Sequence, residues 1–141
     1  MLRYKTHADK RSLYNTPPTY NIYIVGEVIK WIQELGGLEK MKEINEKKAY
    51  ILYDYLDKSK LFEGLARRDS RSLMNVTFRA KSNEMNAEFI KAAGQNGIVS
   101  IGGHRAIGGM RASLYNAMPI EGVKYLVDFM GDFEEKKLSG Y

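Results

Sequence analysis

An α+β fold, with a small mixed sheet of about three strands packed against helices, is what this sequence predicts. Three observations carry that expectation. Apolar residues recur at helical spacing in two long N-terminal segments and again near the C-terminus. In two short stretches between them the period falls to two, and residues 98–101 add a third short strand. The elements then read helix, helix, strand, helix, strand, strand, helix, an order that lays helices on one small sheet. At 141 residues the chain suits one domain, and a chain of that size buries roughly 70% of its unfolded surface.

Each element has its own signal. Residues 1–16 read as an N-terminal arm and the start of the first helix, and 17–141 as a single α+β domain. Thr16-Pro17-Pro18 is a helix-start signal, a hydroxyl at the cap followed by a proline whose missing N–H costs nothing there. Ile24, Val28, Ile32 and Leu35 follow at helical spacing, with Tyr20, Val25 and Trp31 widening the apolar surface until Gly36-Gly37 closes the helix. Leu38, Met41, Ile44, Ile51, Leu52, Tyr55 and Leu56 mark the buried stripe of a second helix. Residues 61–72 read as a polar connector. Met74, Val76 and Phe78 then share one face of a strand, with Asn75 and Thr77 on the other. Ser82 caps a short helix containing Met85, Phe89, Ile90 and Ala93, ended by Gly94 and Gly97. Residues 98–101 read as a second strand and 110–115 as a third, in which Met110, Ala112 and Leu114 alternate with Arg111, Ser113 and Tyr115. Pro119 opens a last helix with Val123, Leu126, Val127, Met130 and Phe133 inward.

Composition removes several function classes. With no cysteine there is no disulfide, thiolate metal site or thiol nucleophile. The two histidines, His7 and His104, have no carboxylates around them at ligand spacing, so no metal is expected. No apolar run approaches the roughly 20 residues of a membrane span, and MLRYKTHADK is too polar for a signal peptide, so a cytoplasmic protein without a membrane partner is expected. The net charge of +5 favours acidic partners but is modest for a nucleic-acid binder. Runs such as EKMKEINEKK interleave both signs as solvated helix faces do, and no nucleic-acid motif is visible.

The chemistry is concentrated in GGHRAIGGMRAS, residues 102–113. One reading is a hairpin-like connection with its arginines in solvent. The other follows from alternation: if Met110, Ala112 and Leu114 face the helices, Arg111 and Ser113 face away, where a guanidinium suits bidentate capture of a carboxylate. The glycines would then let backbone N–H groups approach a second anion beside His104 and Arg105. Residues 103–108 have the gap of a phosphate-binding P-loop, but Gly109-Met110 stands where Lys-Ser/Thr is required. A dinucleotide fingerprint fails because these glycines lead into a strand. A second candidate is SLYNTPPT (12–19), where Asn15 and Thr16 precede a helix N-terminus, a place suited to anions.

Taken together, YKTHAD (4–9), SLYNTPPT (12–19), WIQELGGLEKM (31–41), SRSLMNVTF (70–78), GHRAIGGMRASLYNAMP (103–119) and VKYLVDFM (123–130) resemble the phosphoserine aminotransferase family, along essentially the whole chain. The resemblance is to that family's C-terminal part, the small domain of a fold-type I aminotransferase, with the large domain expected before Met1. It implies a homodimeric enzyme dependent on pyridoxal phosphate, held mainly by the large domain. That enzyme moves an amino group between glutamate and 3-phosphohydroxypyruvate, giving phosphoserine and 2-oxoglutarate in serine biosynthesis, and in many bacteria serves pyridoxine biosynthesis too. Asn15 and Thr16 match the pair that reaches the cofactor phosphate of the neighbouring subunit. His104 and Arg105 match residues near the substrate phosphate, and Arg111 the arginine that holds the α-carboxylate. Ala106 and Ile107 replace residues that are often Ser and Val in relatives. No lysine here matches the Schiff-base motif, so this chain alone is expected to be inactive. The alternative is a stand-alone, non-catalytic module that binds a phosphorylated carboxylate.

Overall fold

The computed structural model describes residues 2–105 and 107–140. The chain divides into two compact units, Met1–Glu39 and Lys40–Tyr141. Helices α1 (Tyr4–Asp9) and α2 (Thr19–Glu34) lie in the first, and α3 (Gly37–Lys58) leads into the second. The second unit holds β1 (Phe62–Gly64), β2 (Asn75–Ala80), α4 (Asn83–Gln95), β3 (Met110–Ser113) and α5 (Ile120–Leu138).

The first unit departs from expectation in three ways. The arm contains a helix, α1, none of whose residues is buried. The helix expected from Thr16 starts at Thr19 with Pro18 at its cap, so the Thr16 hydroxyl is not used to cap it. Finally, α2 ends before the glycine pair as expected, but no residue of it is buried.

The second unit is the packed one. Its sheet has the expected three strands, in the order β1-β2-β3, and both pairings are antiparallel where a mixed sheet was expected. The cause lies in the chain ahead of β3. Residues 98–101 do not form a strand: Ser100 sits at φ 58, outside strand geometry, and only a single bridge, Gly102 to Met110, forms nearby. The glycine-rich stretch then reverses the chain, and β3 returns along β2. The third strand comes instead from the presumed connector, as Phe62–Gly64 pairs with Phe78–Ala80.

On the inner face of the sheet Val76, Phe78, Met110 and Ala112 are buried, as the alternation predicted, and Ala80 joins them, while Met74 lies ahead of β2 and is half-buried. All five phenylalanines meet beneath them, with Phe89 of α4 at the centre, 4.9 Å from Phe62 and 5.3 Å from Phe133 between ring centroids. Ser82 caps α4 as expected, its hydroxyl accepting from the Met85 amide at 3.2 Å. Helix α5 inserts Val123, Leu126 and Met130. Its Glu134 carboxylate accepts bonds from the Tyr55 hydroxyl (2.6 Å), the Ser59 hydroxyl (2.7 Å) and the amides of Lys60 (2.6 Å) and Leu61 (3.2 Å), which pins the entry to β1. Burial and the adjacent carboxylate push the Tyr55 hydroxyl well up.

Candidate functional site

The glycine-rich stretch is a closed turn and not a slack loop. The Gly103 amide donates to Gly109 O at 2.9 Å, and the amides of Ile107 and Gly108 both donate to His104 O. Gly108 (φ 74) and Gly109 (φ 66) take the left-handed conformation that favours glycine. A methyl group on Gly103 would come within 2.1 Å of the Gly108 carbonyl oxygen, and one on Gly109 within 2.8 Å of Phe78 O. The turn therefore closes on itself and against β2 only because these positions carry no side chain.

β3 follows directly. The Arg111 amide donates to Ile101 O at 2.8 Å, and Arg111 stands opposite Thr77 of β2. Met110, Ala112 and Leu114 are each at most 3% exposed, which turns Arg111 and Ser113 to the other face. Ser113 donates to Asn75 Oδ1 at 3.2 Å there. No ion pair among the described residues involves Arg111, whose side chain is exposed on that face.

Arg111 and His104 line one cavity of about 210 Å³ together with Thr77, Gly103, Ile107 and Gly108. Arg105 lies at the exposed outer part of the turn and is not in that lining. The structure thus brings two of the three expected substrate residues to one cavity and leaves the third outside it. Asn15 and Thr16 belong to the first unit, where both are exposed just ahead of α2. Ala106 lies outside the described residues. Thr77 was missed as a site residue, although its place on the polar face of β2 was readable from the alternation.

The donor set suits oxyanions. An arginine on the outward face of a strand has the donors a carboxylate needs, whereas the amides of Gly103, Ile107 and Gly108 are spent inside the turn, so the expected backbone N–H approach to a second anion is not available from them. Among the described residues no cluster of His, Asp or Glu could hold a metal ion, and no helix is long and apolar enough to cross a membrane. Asn15 and Thr16, the residues expected at a cofactor phosphate, are exposed on the stretch ahead of α2, whose first residue is Thr19. The buried lysine of α3, Lys48, is fully engaged by backbone carbonyls and has no N–H left over.

Comparison with known proteins places this arrangement. Residues 1–126 match the family model for aminotransferase class-V, and the chain belongs to that family. Its similarity is to phosphoserine aminotransferases in particular. The chain is 53% identical over 135 residues to the phosphoserine aminotransferase of Desulfosudis oleivorans, covering 95% of this chain and 37% of that protein. The protein of that name from Niallia circulans is 51% identical over 138 residues, covering 97% and 38%. The solved phosphoserine aminotransferase from Bacillus circulans subsp. alkalophilus superposes with a TM-score of 0.90 at 50% identity, over 96% of this chain and 38% of that one. A phosphoserine aminotransferase from Trichomonas vaginalis solved with pyridoxal phosphate bound gives 0.83 at 36% identity, over 91% and 37%. The chain therefore spans a little over a third of the length of the relatives it matches.

Proposed function

We propose that this chain is the C-terminal part of a phosphoserine aminotransferase, which moves an amino group between glutamate and 3-phosphohydroxypyruvate in serine biosynthesis, with a second use in pyridoxine biosynthesis. The observation that carries the reading is Arg111: a guanidinium without an ion pair, held on the open face of β3 beside His104 at one cavity. Both substrates have an α-carboxylate for it to grip, and fixing that group fixes the orientation of the reacting carbon. His104, from inside the cavity, and Arg105, from the rim of the turn, select the phosphorylated substrate.

Pyridoxal phosphate, when bound, supplies the electron sink for the reaction. Asn15 and Thr16 take its phosphate across a homodimer interface, so each subunit completes its neighbour's site. The remaining cofactor contacts, including the lysine that carries it, belong to the longer protein. This chain alone binds without turning over, and the enzyme works in the cytoplasm.

The test is a pair of variants in a full-length protein carrying this chain. Arg111→Ala lowers kcat/KM for glutamate and for the phosphorylated substrate alike. Arg105→Ala costs about 1.5–3 kcal/mol with the phosphorylated substrate and little with glutamate. Equal losses for both substrates in Arg105→Ala sink that division of roles, and retained carboxylate affinity in Arg111→Ala sinks the reading as a whole.

A further inference from the structure

Lys48 is fully buried on α3, at 0% exposure, and it has no carboxylate partner among the described residues. Its Nζ donates instead to three backbone carbonyl oxygens: Leu114 at 3.1 Å, Tyr115 at 2.8 Å and Met118 at 3.1 Å. An ammonium carries three N–H groups, so every one is used. Burying a cation without a counter-ion is costly, and burial pushes this ammonium's pKa down. A stabilising contact alone would be met more cheaply by a hydrophobic residue of similar volume.

The place of those carbonyls suggests what the lysine is for. They lie on the segment that leaves β3, three to seven residues beyond Arg111. The same three residues help line a second cavity of about 500 Å³, which Arg111 and Ser113 also line. One turn earlier on α3, Asn45 donates to Asn116 Oδ1 at 2.9 Å. The helix thus grips this segment at two levels. Arg111 itself is tied upstream by Ile101 O and sideways by β2, and the Leu114 amide donates to Met74 O at 2.7 Å, so Lys48 adds the restraint on the carbonyl side of the segment that follows.

We propose that Lys48 is a positioning residue for the Arg111 site: its ammonium fixes the backbone of residues 114–118 and thereby the point from which β3 presents the Arg111 guanidinium. The inference rests on the reading of Arg111 as the carboxylate clamp. It explains the residue type, since one side-chain atom must satisfy three carbonyls that converge on it. Methionine fills similar space but donates nothing, which frees the segment without leaving a void.

The test uses nitrogen-15 relaxation in the 141-residue chain, read at the Arg111 Nε–Hε group and at the amides of Leu114, Tyr115 and Met118. Lys48→Met is compared with Glu134→Gln, a change in the staple between α3, α5 and the entry to β1 that controls for a general loss of stability. Order parameters at the three amides fall in Lys48→Met from about 0.85 toward 0.6, and the Arg111 Nε resonance moves, while Glu134→Gln leaves both unchanged. No change in Lys48→Met overturns the proposal, and so does an equal fall in Glu134→Gln. If Lys48→Met does not fold, Asn116→Ala removes the outer grip alone and must give a smaller fall of the same kind; no fall there overturns the proposal too. Titration of the wild-type and Arg111→Ala chains with 2-oxoglutarate tests the carboxylate reading separately. A shift at Arg111 Nε with no loss of affinity in Arg111→Ala defeats that reading, whatever relaxation says of Lys48.

Discussion

Helices α2 and α3 follow one another in the chain and differ in what they bury. Helix α2 is apolar around most of its circumference, yet Ile22, Tyr23, Ile24, Val25, Val28 and Ile29 are all between 40% and 61% exposed. Helix α3 is laced with charge, with Lys40 and Lys47 both bonded to Glu43, and still buries seven residues, two of them Asn45 and Lys48. Apolar content measures what a helix could bury, whereas the surfaces facing it decide what it does bury. For α3 those surfaces are the sheet and the segment after β3. A helix that is apolar on nearly every side, as α2 is, is built to be enclosed.

The sharpest way to break this contrast is at the centre of the packed unit. Phe89→Ala removes a ring in contact with Phe62, Phe78, Phe129 and Phe133, and is expected to cost about 3–5 kcal/mol in urea denaturation. A cost below about 1 kcal/mol would mean that the second unit is not held by this core.

A middle-sized effect tests the polar staple. Burial pushes the Glu134 carboxyl up, but the bonds from Tyr55, Ser59 and the Lys60 and Leu61 amides outweigh it and hold it below its ordinary 4.5. A depressed carboxylate pKa contributes stability that is present above the unfolded value and is lost as pH falls through the folded one. Glu134→Gln is therefore expected to cost about 1.5–3 kcal/mol at neutral pH and to flatten the decline in stability below pH 4.5. A stability profile parallel to that of the wild type between neutral pH and pH 3 would contradict it.

The smallest effect lies in α2. Exchanging Tyr23 and Ile29 for serine changes the unfolding free energy of this chain by less than about 1 kcal/mol in total, because neither side chain is buried. A loss as large as that of Phe89→Ala would show that α2 is enclosed in solution, and the contrast with α3 would fall.

Much of the packed unit was legible in advance, because its signals are local. The period-two face of β3, the Ser82 cap and the apolar stripe of α5 are each written within one element, and the structure has all three. Elements that depend on a distant partner were harder to see. β1 is three residues long, too short to display a period, and is a strand because β2 offers it an edge. Residues 98–101 have the composition of a strand, but Ser100 at φ 58 interrupts it. The stripe read on α3 holds at Met41, Leu52 and Leu56, but Leu38 is exposed and Asn45 and Lys48 take inner positions instead, where only partners some 70 residues away make those side chains acceptable. The same division runs through the site. Alternation gave the outward turn of Arg111, while neither the absence of Arg105 from the cavity lining nor the burial of Lys48 against the segment after β3 has a local signature.

The crossing at Gly103, where even a methyl group would meet the Gly108 carbonyl oxygen, separates the stretch into a hinge pin and an interchangeable tip. The pin tolerates no substitution at Gly103 or Gly109 without moving β3. The tip at Arg105 and Ile107 is exposed, so its charge and bulk can vary while the closure beneath it stays as it is. A turn built this way can exchange charge and bulk at its tip alone, with β3 and the outward face that carries Arg111 left in register.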